Sequence, residues 1–226
     1  MHAILSQANR VTRKLGKRLF SQLLYASFEP EARPQLDLIE AVKKERRLLI
    51  RLDEAYYLIN AVQSAAKIAG DLAEVGVYQG ASAKLICETR SPDRHLHLFD
   101  TYAGLPQPGN LDPSFIAGEY SCDLESVQQY LSAYQNVSFY KGLFPGTAGP
   151  VADKRFSFVN LDVDLYESTQ GALEFFYPRM SPGGILMSHD YGSQTGVRMA
   201  FDQFLADKPE PLVRLIGSQC LLVKLA

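Results

Sequence analysis

Acidic residues and a histidine follow two apolar runs in the second half of the chain. Asp162 and Asp164 come directly after one run, and His189 and Asp190 come directly after the next. Because buried strands of a parallel sheet end at the same edge, these four residues should lie together where open α/β sheets bind ligands. Carboxylates and an imidazole in that place could hold a divalent metal ion or move a proton.

A glycine turn in the first half of the chain indicates a ligand without a pyrophosphate. Gly76 and Gly80 separate a short apolar run from a helical pattern, and Tyr78 stands where a dinucleotide-binding turn requires a further glycine. Glu74 could bind an ammonium group or a network of waters, and Asp100, at the end of the next strand, could accept hydrogen bonds from two ribose hydroxyls. A nucleoside that carries an amino acid meets these requirements, which predicts S-adenosylmethionine.

The hydrophobic pattern predicts the elements that must position these residues. Helical repeats predict helices over 35–50, 53–69, 81–89, 124–134, 171–177 and 197–205. Short apolar runs predict strands over 70–76, 95–99, 137–141, 156–161, 184–188, 212–216 and 220–224. Strands that alternate with helices favour a parallel sheet with right-handed crossovers.

The last two predicted strands depart from this alternation. They are separated only by Gly217-Ser218-Gln219, a distance that an antiparallel hairpin alone can close. The expected fold is therefore α/β and Rossmann-like: a doubly wound, mostly parallel seven-stranded sheet with an antiparallel C-terminal hairpin.

The segment 101–121 is long for a connection without secondary structure. It contains three glycines and three prolines. Such segments are usually lids or binding loops, although simple mobility is the alternative. Tyr102, Phe115 and Tyr120 could supply contact area for a substrate.

Composition and charge limit the class of protein. With 226 residues, 46% of them hydrophobic, the chain favours one well-buried domain. A net charge of −2 gives no general attraction to nucleic acid, and no nucleic-acid partner is expected. No stretch reaches the ~20 apolar residues that span a bilayer, and no secretory signal is evident. We expect a soluble, cytoplasmic protein without stable membrane insertion.

The N-terminal segment and the cysteines carry weaker signals. Residues 2–28 contain no acidic residue and interleave basic with apolar side chains at helical spacing. This pattern favours an amphipathic helix that packs on the domain or on a second subunit, with a membrane-surface helix as the alternative. Cys87, Cys122 and Cys220 are far apart and are expected to be reduced, without a shared role.

Five motifs follow one another along the chain: residues 70–77 (GDLAEVGV), 99–106 (FDTYAGLP), 142–147 (GLFPGT), 162–169 (DVDLYEST) and 189–191 (HDY). With them, the chain from about Leu48 to the C-terminus closely resembles the macrocin O-methyltransferase (TylF/MycF) family of class I S-adenosylmethionine-dependent methyltransferases. The resemblance implies methyl transfer to a hydroxyl of a small molecule, such as a sugar or a glycosylated natural product.

The resemblance also implies roles for the acidic residues. Asp162 and Asp190 would hold magnesium, and Asp164 would be the base. His189 stands where the magnesium enzymes of the family tend to have aspartate, and an imidazole weakens a magnesium site or shifts it toward manganese, iron or zinc. His189 is thus a metal ligand, a general base or substrate contact, or a structural histidine.

The predicted sites can be stated by residue. The catalytic residues are Asp164, His189 and Asp162, and the metal ligands are Asp162, Asp190 and His189. The residues predicted to bind S-adenosylmethionine are Glu74, Gly76, Val77, Tyr78, Gly80, Ser82, Asp100, Thr101 and Asp162. Residues 1–50 are expected to form a helical segment that makes either lid contacts or the contacts of a homodimer, and residues 51–226 the methyltransferase domain.

Other functions fit the sequence less well. A nicotinamide oxidoreductase shares the sheet, but Tyr78 in the glycine turn and the hairpin count against it. A non-catalytic S-adenosylmethionine-binding protein would keep Glu74 and Asp100. It would not need the acidic edge, the group formed by Asp162, Asp164, His189 and Asp190 where the strands end. A phenol or catechol acceptor needs less activation, so that a histidine or aspartate base could act without metal.

Overall fold

The computed structural model describes residues 29–225, so the basic segment 2–28 lies outside the described residues. The helices are α1 (Arg33–Glu45), α2 (Leu52–Ala65), α3 (Ala81–Thr89), α4 (Leu124–Tyr130), α5 (Tyr166–Phe176) and α6 (Thr195–Leu205). The strands are β1 (Asp71–Val75), β2 (Leu96–Asp100), β3 (Val137–Lys141), β4 (Phe156–Leu161), β5 (Met180–Ser188), β6 (Val213–Arg214) and β7 (Cys220–Val223). Short 3-10 helices cover Pro30–Ala32, Gly149–Val151 and Tyr177–Arg179.

The strands form one seven-stranded sheet in the order β3-β2-β1-β4-β5-β7-β6. Strands β1 to β5 are parallel, while β7 runs antiparallel to β5 and β6 antiparallel to β7. This arrangement confirms the mostly parallel sheet and the antiparallel hairpin. The strand order reverses between β1 and β4, and open α/β sheets bind ligands at such a reversal.

The register of the sheet brings the functional segments to one level. Val75 of β1 lies opposite Leu161 of β4, and Leu161 lies opposite Ser188 of β5. The next residues of the three strands, Gly76, Asp162 and His189, therefore leave the sheet side by side. Backbone hydrogen bonds hold this row, because Asp162 N donates to Val75 O and His189 N donates to Leu161 O, both at 2.9 Å.

Alternate residues of the buried strands feed two hydrophobic layers, one on each face of the sheet. Phe158 of β4 packs with helices α1, α2 and α3, and Val159 packs with α5 and α6. Helix α1 contributes Leu36, Ile39 and Val42 to the first layer. The division into residues 1–50 and 51–226 stays a prediction. Within residues 29–225 no helix is long and apolar enough to cross a membrane.

Three predicted boundaries were wrong for identifiable reasons. Helix α1 ends at Glu45 rather than near residue 50, because Arg46 is extended and its guanidinium donates to the Ser126 carbonyl and hydroxyl. Helix α5 begins at Tyr166 rather than residue 171, because a side chain from the segment 101–121 accepts the Tyr166 N–H. Strand β5 begins at Met180 rather than residue 184, since Met180 pairs with Phe156 of β4 and the pairing resumes at Ile185 after a register irregularity at the Pro-Gly-Gly stretch.

Glu210 is a buried acid whose charge stabilises the fold. Its carboxylate accepts hydrogen bonds from Lys224 Nζ at 2.6 Å, from the Tyr177 hydroxyl and from Leu225 N. Burial disfavours its charged form, but the Lys224 ammonium and the Tyr177 hydroxyl outweigh burial and lower the pKa of Glu210 to about 2.

Glu210→Gln is therefore expected to lower the free energy of unfolding by about 2–3 kcal/mol at pH 7. Because the pKa of Glu210 is lower in the folded state than in the unfolded state, its contribution is complete above the ordinary glutamate pKa. It declines as the pH falls toward 2. Urea unfolding at pH 7 and pH 3.5 should show a smaller difference from the unmodified chain at the lower pH. The exposed Glu174→Gln is the control, and an equal Glu210→Gln effect at both pH values would contradict the assignment.

Candidate functional site

A cavity of about 300 Å³ lies at the carboxyl ends of β1, β2, β4 and β5. It brings together most of the predicted site residues: Gly76, Tyr78, Asp100, Thr101, Asp162, Asp164, His189 and Asp190. Four residues predicted to bind S-adenosylmethionine do not line it: Glu74, Val77, Gly80 and Ser82. Their roles stay predictions.

Gly76 allows the ends of β1 and β4 to approach each other at the base of the cavity. Its φ is +87°, and a Cβ built on it would lie 1.8 Å from the Asp162 carbonyl oxygen. Any larger residue would push the two strand ends apart. The close approach thus requires glycine at this position.

Asp100 shapes the glycine turn from the neighbouring strand. Its Oδ2 accepts hydrogen bonds from Val77 N at 2.7 Å and Tyr78 N at 2.8 Å, and its Oδ1 accepts one from Tyr102 N at 2.7 Å. A carboxylate offers about four acceptor positions, so capacity remains for a ligand hydroxyl. The structure therefore shows a structural role for Asp100 that the sequence did not indicate.

Glu74 lies directly below the turn and has no exposed surface. Asn160 Nδ2 donates to its Oε1 at 2.9 Å, and its Oε2 has no hydrogen-bond partner among residues 29–225. Burial raises the pKa of Glu74 to about 8. Glu74 would attract a ligand ammonium only in its charged form, so the ligand would have to lower this pKa, and because Glu74 is fully covered, a bound water or a movement of the turn would have to complete the contact.

Within the acidic edge, His189 lies between the carboxylates of Asp162 and Asp190. Its Nδ1 is 3.2 Å from Asp162 Oδ1 and 3.0 Å from Asp190 Oδ2. Burial disfavours the charged ring, but Asp162, Asp190 and Glu54 outweigh burial and hold the pKa of His189 well above its ordinary value. Without a bound cation, His189 is therefore an imidazolium at neutral pH.

Without a bound cation, Asp164 is protonated as well. Burial and the charges of Asp162 and Asp190 raise its pKa to about 9. Asp164, with φ +62°, and Asp190, with φ +64°, both have a backbone conformation that residues other than glycine rarely adopt. Such strained positions are common at functional sites. A neutral Asp164 cannot accept a proton, so its predicted role as base requires a change in local charge.

The donor set at this edge is suited to a divalent metal ion. Ligand atoms of Asp162, His189 and Asp190 all lie within 4.8 Å of one another. Two carboxylates and one imidazole suit manganese, iron or zinc better than magnesium, which prefers oxygen ligands. A cation in this position would take the place of the proton on His189 Nδ1, and its positive charge would lower the pKa of Asp164.

The segment 101–121 covers one side of the cavity, where it was predicted to act as a lid. Gly104, Leu105, Pro106, Phe115 and Tyr120 line the cavity from this segment. The Tyr120 ring meets the Tyr78 ring edge to face at a centroid distance of 5.9 Å. The buried Asp112 joins the segment to the start of α5, since its Oδ2 accepts the Tyr166 N–H at 3.0 Å. The segment is thus a folded loop, and its opening and closing stay a prediction.

Several site residues were missed by sequence reasoning. Arg47 and Leu49 line the cavity, and Arg47 is the only lysine or arginine among the lining residues within the described part of the chain. Both fell inside a predicted helix. Glu54, which contacts His189, resembles an ordinary acid in the first turn of a helix. No sequence signal could have identified it.

Comparison with known proteins agrees with this geometry. The family model described as macrocin O-methyltransferase (TylF) matches residues 46–216. The solved structure of the O-methyltransferase NovP superposes with a TM-score of 0.70 at 23% identity, covering 79% of this chain and 82% of that one. The calicheamicin methyltransferase CalS11 gives 0.67 at 18% identity, covering 87% and 93%. These likenesses establish the Rossmann-like class I methyltransferase fold.

Two curated relatives add sequence similarity. A Streptomyces olivaceus protein named 8-demethyl-8-(2,3-dimethoxy-alpha-L-rhamnosyl)-tetracenomycin-C 4'-O-methyltransferase is 32% identical over 159 residues, 63% of this chain. The mycinamicin III 3''-O-methyltransferase of Micromonospora griseorubida is 29% identical over 154 residues, 59% of this chain. The matches span 60% and 61% of the lengths of these relatives.

Proposed function

The chain belongs to the macrocin O-methyltransferase (TylF) family, and from this premise we propose that it transfers a methyl group from S-adenosylmethionine to a hydroxyl of a sugar or a glycosylated natural product. The observation that carries the proposal is the cavity itself. It joins the glycine turn at Gly76 and Tyr78 to the acidic edge at Asp162, His189 and Asp190. One end suits a methyl donor, and the other suits activation of a hydroxyl. The substrates in the names of the relatives support the choice of acceptor.

The glycine turn and its neighbours would bind the donor. Gly76 lets the ends of β1 and β4 meet at the base of the donor site, Asp100 has acceptor capacity for ribose hydroxyls, and the acids at the edge favour a cation such as a sulfonium. Bound in this way, S-adenosylmethionine supplies a methyl group to an in-line displacement. The protein would accelerate this reaction chiefly by holding the acceptor oxygen in line with the methyl carbon and the sulfur.

The acidic edge would prepare the acceptor. As the new carbon–oxygen bond forms and the carbon–sulfur bond breaks, its electron pair goes to sulfur, and the hydroxyl proton must pass to a base. With a divalent ion bound, the carboxylate of Asp164 would be the group in this part of the cavity that is free to take it; without an ion, His189 Nδ1 in its neutral form or the Asp162 carboxylate would take it. Asp162, His189 and Asp190 would hold a divalent ion that lowers the pKa of a bound hydroxyl.

Removal of divalent ions is expected to abolish methyl transfer. Chelator should eliminate activity, and manganese should restore it more effectively than magnesium because one of the three ligands is an imidazole. Asp190→Ala should weaken manganese binding, measured by electron paramagnetic resonance, about 10- to 100-fold. Asp153→Ala, at an exposed position before β4 and thus at the opposite end of that strand from Asp162, is the control. Full activity in chelator would leave a metal-independent histidine or aspartate base as the mechanism.

A turnover assay tests the proposed function. Release of S-adenosylhomocysteine is measured across a panel of glycosylated macrolides, free and nucleotide-linked deoxysugars, and catechols, and the products are located by mass spectrometry. The proposal predicts a methyl group on a sugar hydroxyl. Methylation confined to catechols would replace the sugar acceptor with a phenolic one. Donor binding without transfer to any member, with His189 and the acids intact, would favour a non-catalytic binding protein.

A further inference from the structure

Glu54 is a buried acid that contacts His189 from the side opposite the cavity. It lies in the first turn of α2 and is 2% exposed. Its Oε2 lies 3.4 Å from His189 Nε2, and this contact joins residues 135 positions apart in the chain. The other ring nitrogen, Nδ1, faces Asp162 and Asp190. The imidazole is therefore held at both ends, and only one end faces the reacting groups.

Glu54 does not depend on His189 for its position. Its Oε1 accepts hydrogen bonds from Ser218 N at 2.9 Å and Ser218 Oγ at 2.8 Å, and its Oε2 accepts one from Arg51 N at 2.8 Å. These three donors come from the start of α2 and from the turn between β6 and β7. A Cβ on Gly217 would come within 2.4 Å of Glu54 Oε1, so this turn closes tightly around the carboxylate. A fixed carboxylate orients the ring beside it.

From this geometry we infer that Glu54 is a positioning residue, which keeps a proton on His189 Nε2 and leaves Nδ1 as the nitrogen that works in the cavity. The inference rests on the proposed methyltransferase function. A histidine that binds a metal or accepts a proton through one nitrogen commonly donates its other N–H to a carboxylate, which fixes the ring and raises its basicity. On this inference His189 has a functional role rather than a purely structural one.

Glu54→Gln tests the inference because it keeps the shape of the side chain. Each oxygen of Glu54 faces a backbone N–H, Arg51 on one side and Ser218 on the other. Whichever of these two positions the amide nitrogen of the new glutamine takes, it faces a backbone N–H and forms no hydrogen bond with it. In the position next to His189, this nitrogen would favour an imidazole ring that carries its proton on Nδ1. An amide in place of an orienting carboxylate selects the wrong histidine tautomer in hydrolytic triads. We expect kcat to fall about 10- to 100-fold, with KM for S-adenosylmethionine changed less than about twofold.

A double-mutant cycle separates this role from a structural one. In a His189→Asn background, Glu54→Gln should change the residual kcat by less than about twofold, because its effect passes through the ring. Glu174→Gln makes the same change at an exposed position, so it should retain kcat within about twofold. An equal loss of kcat from Glu54→Gln in both backgrounds would overturn the inference.

Nuclear magnetic resonance of the nitrogen-15-labelled chain tests the contact without any acceptor. The Nε2–H of His189 should give a slowly exchanging signal that is absent from His189→Asn and is lost in Glu54→Gln. A signal that persists unchanged in Glu54→Gln would refute the inference even if methyl transfer is confirmed. An unmodified chain that fails to bind S-adenosylmethionine would contradict the proposed function, and the signal would still decide the role of Glu54.

Discussion

Asp162→Asn is expected to lower kcat for methyl transfer about 10²- to 10⁴-fold, the range over which acid–base groups contribute to catalysis. Asp162 follows β4 at the centre of the row formed with Gly76 and His189. Its Oδ1 faces His189 Nδ1 at 3.2 Å, and its carboxylate is one of the three candidate metal ligands. Asparagine keeps the size of the side chain and its backbone bond to Val75 but removes the charge. The loss should therefore appear in kcat and in metal affinity rather than in folding.

The measurement is steady-state kinetics with S-adenosylhomocysteine release, together with thermal unfolding. Asp153→Asn is the matched control, because it makes the same change at an exposed position. Its kcat should stay within about twofold of that of the unmodified chain. An Asp162→Asn variant that retains most of its activity would remove the acidic edge from the mechanism.

Gly76→Ala is expected to abolish donor binding. The new Cβ would lie 1.8 Å from the Asp162 carbonyl oxygen, and the φ of +87° is strained for alanine. The strain alone costs about 1–3 kcal/mol of folding free energy, and the clash forces β1 and β4 apart at the point where they meet the ligand. A displacement of about 1 Å in such a site can cost 10²-fold in function. We expect affinity for S-adenosylmethionine to fall at least about 100-fold.

Gly149→Ala is the matched control, because a Cβ at that position meets no atom within 4 Å and the backbone is not in the left-handed region. Calorimetric titration and urea unfolding of both variants separate the two effects. Gly149→Ala should match the unmodified chain in both measurements. If Gly76→Ala bound S-adenosylmethionine normally, the donor would have to occupy a different part of the cavity.

The parts of the fold that follow from local patterns were predictable. An apolar run that ends in acid marks the carboxyl end of a buried strand, and strands that alternate with helices place those ends on one edge. These two patterns predict that Asp162, His189 and Asp190 lie together, as they do in the structure. The short spacing of the last two strands likewise required the antiparallel hairpin that β6 and β7 form.

The rest depended on contacts between distant residues. Asp112 fixes the start of α5 from 54 positions away, so the helical period alone placed that boundary too late. Glu54 reaches His189 only because the turn at Ser218 folds over it. The protonation of His189 and Asp164 depends on how many charges are packed together, which spacing along the chain does not determine. Sequence patterns therefore located the site but not its charge or its supports.

Equilibrium binding of S-adenosylmethionine, measured by calorimetry, tests the central claim most directly, because it needs no knowledge of the acceptor. The proposed function predicts saturable binding to the unmodified chain and to Gly149→Ala, and loss of binding in Gly76→Ala. Absence of binding to the unmodified chain at millimolar S-adenosylmethionine would contradict it.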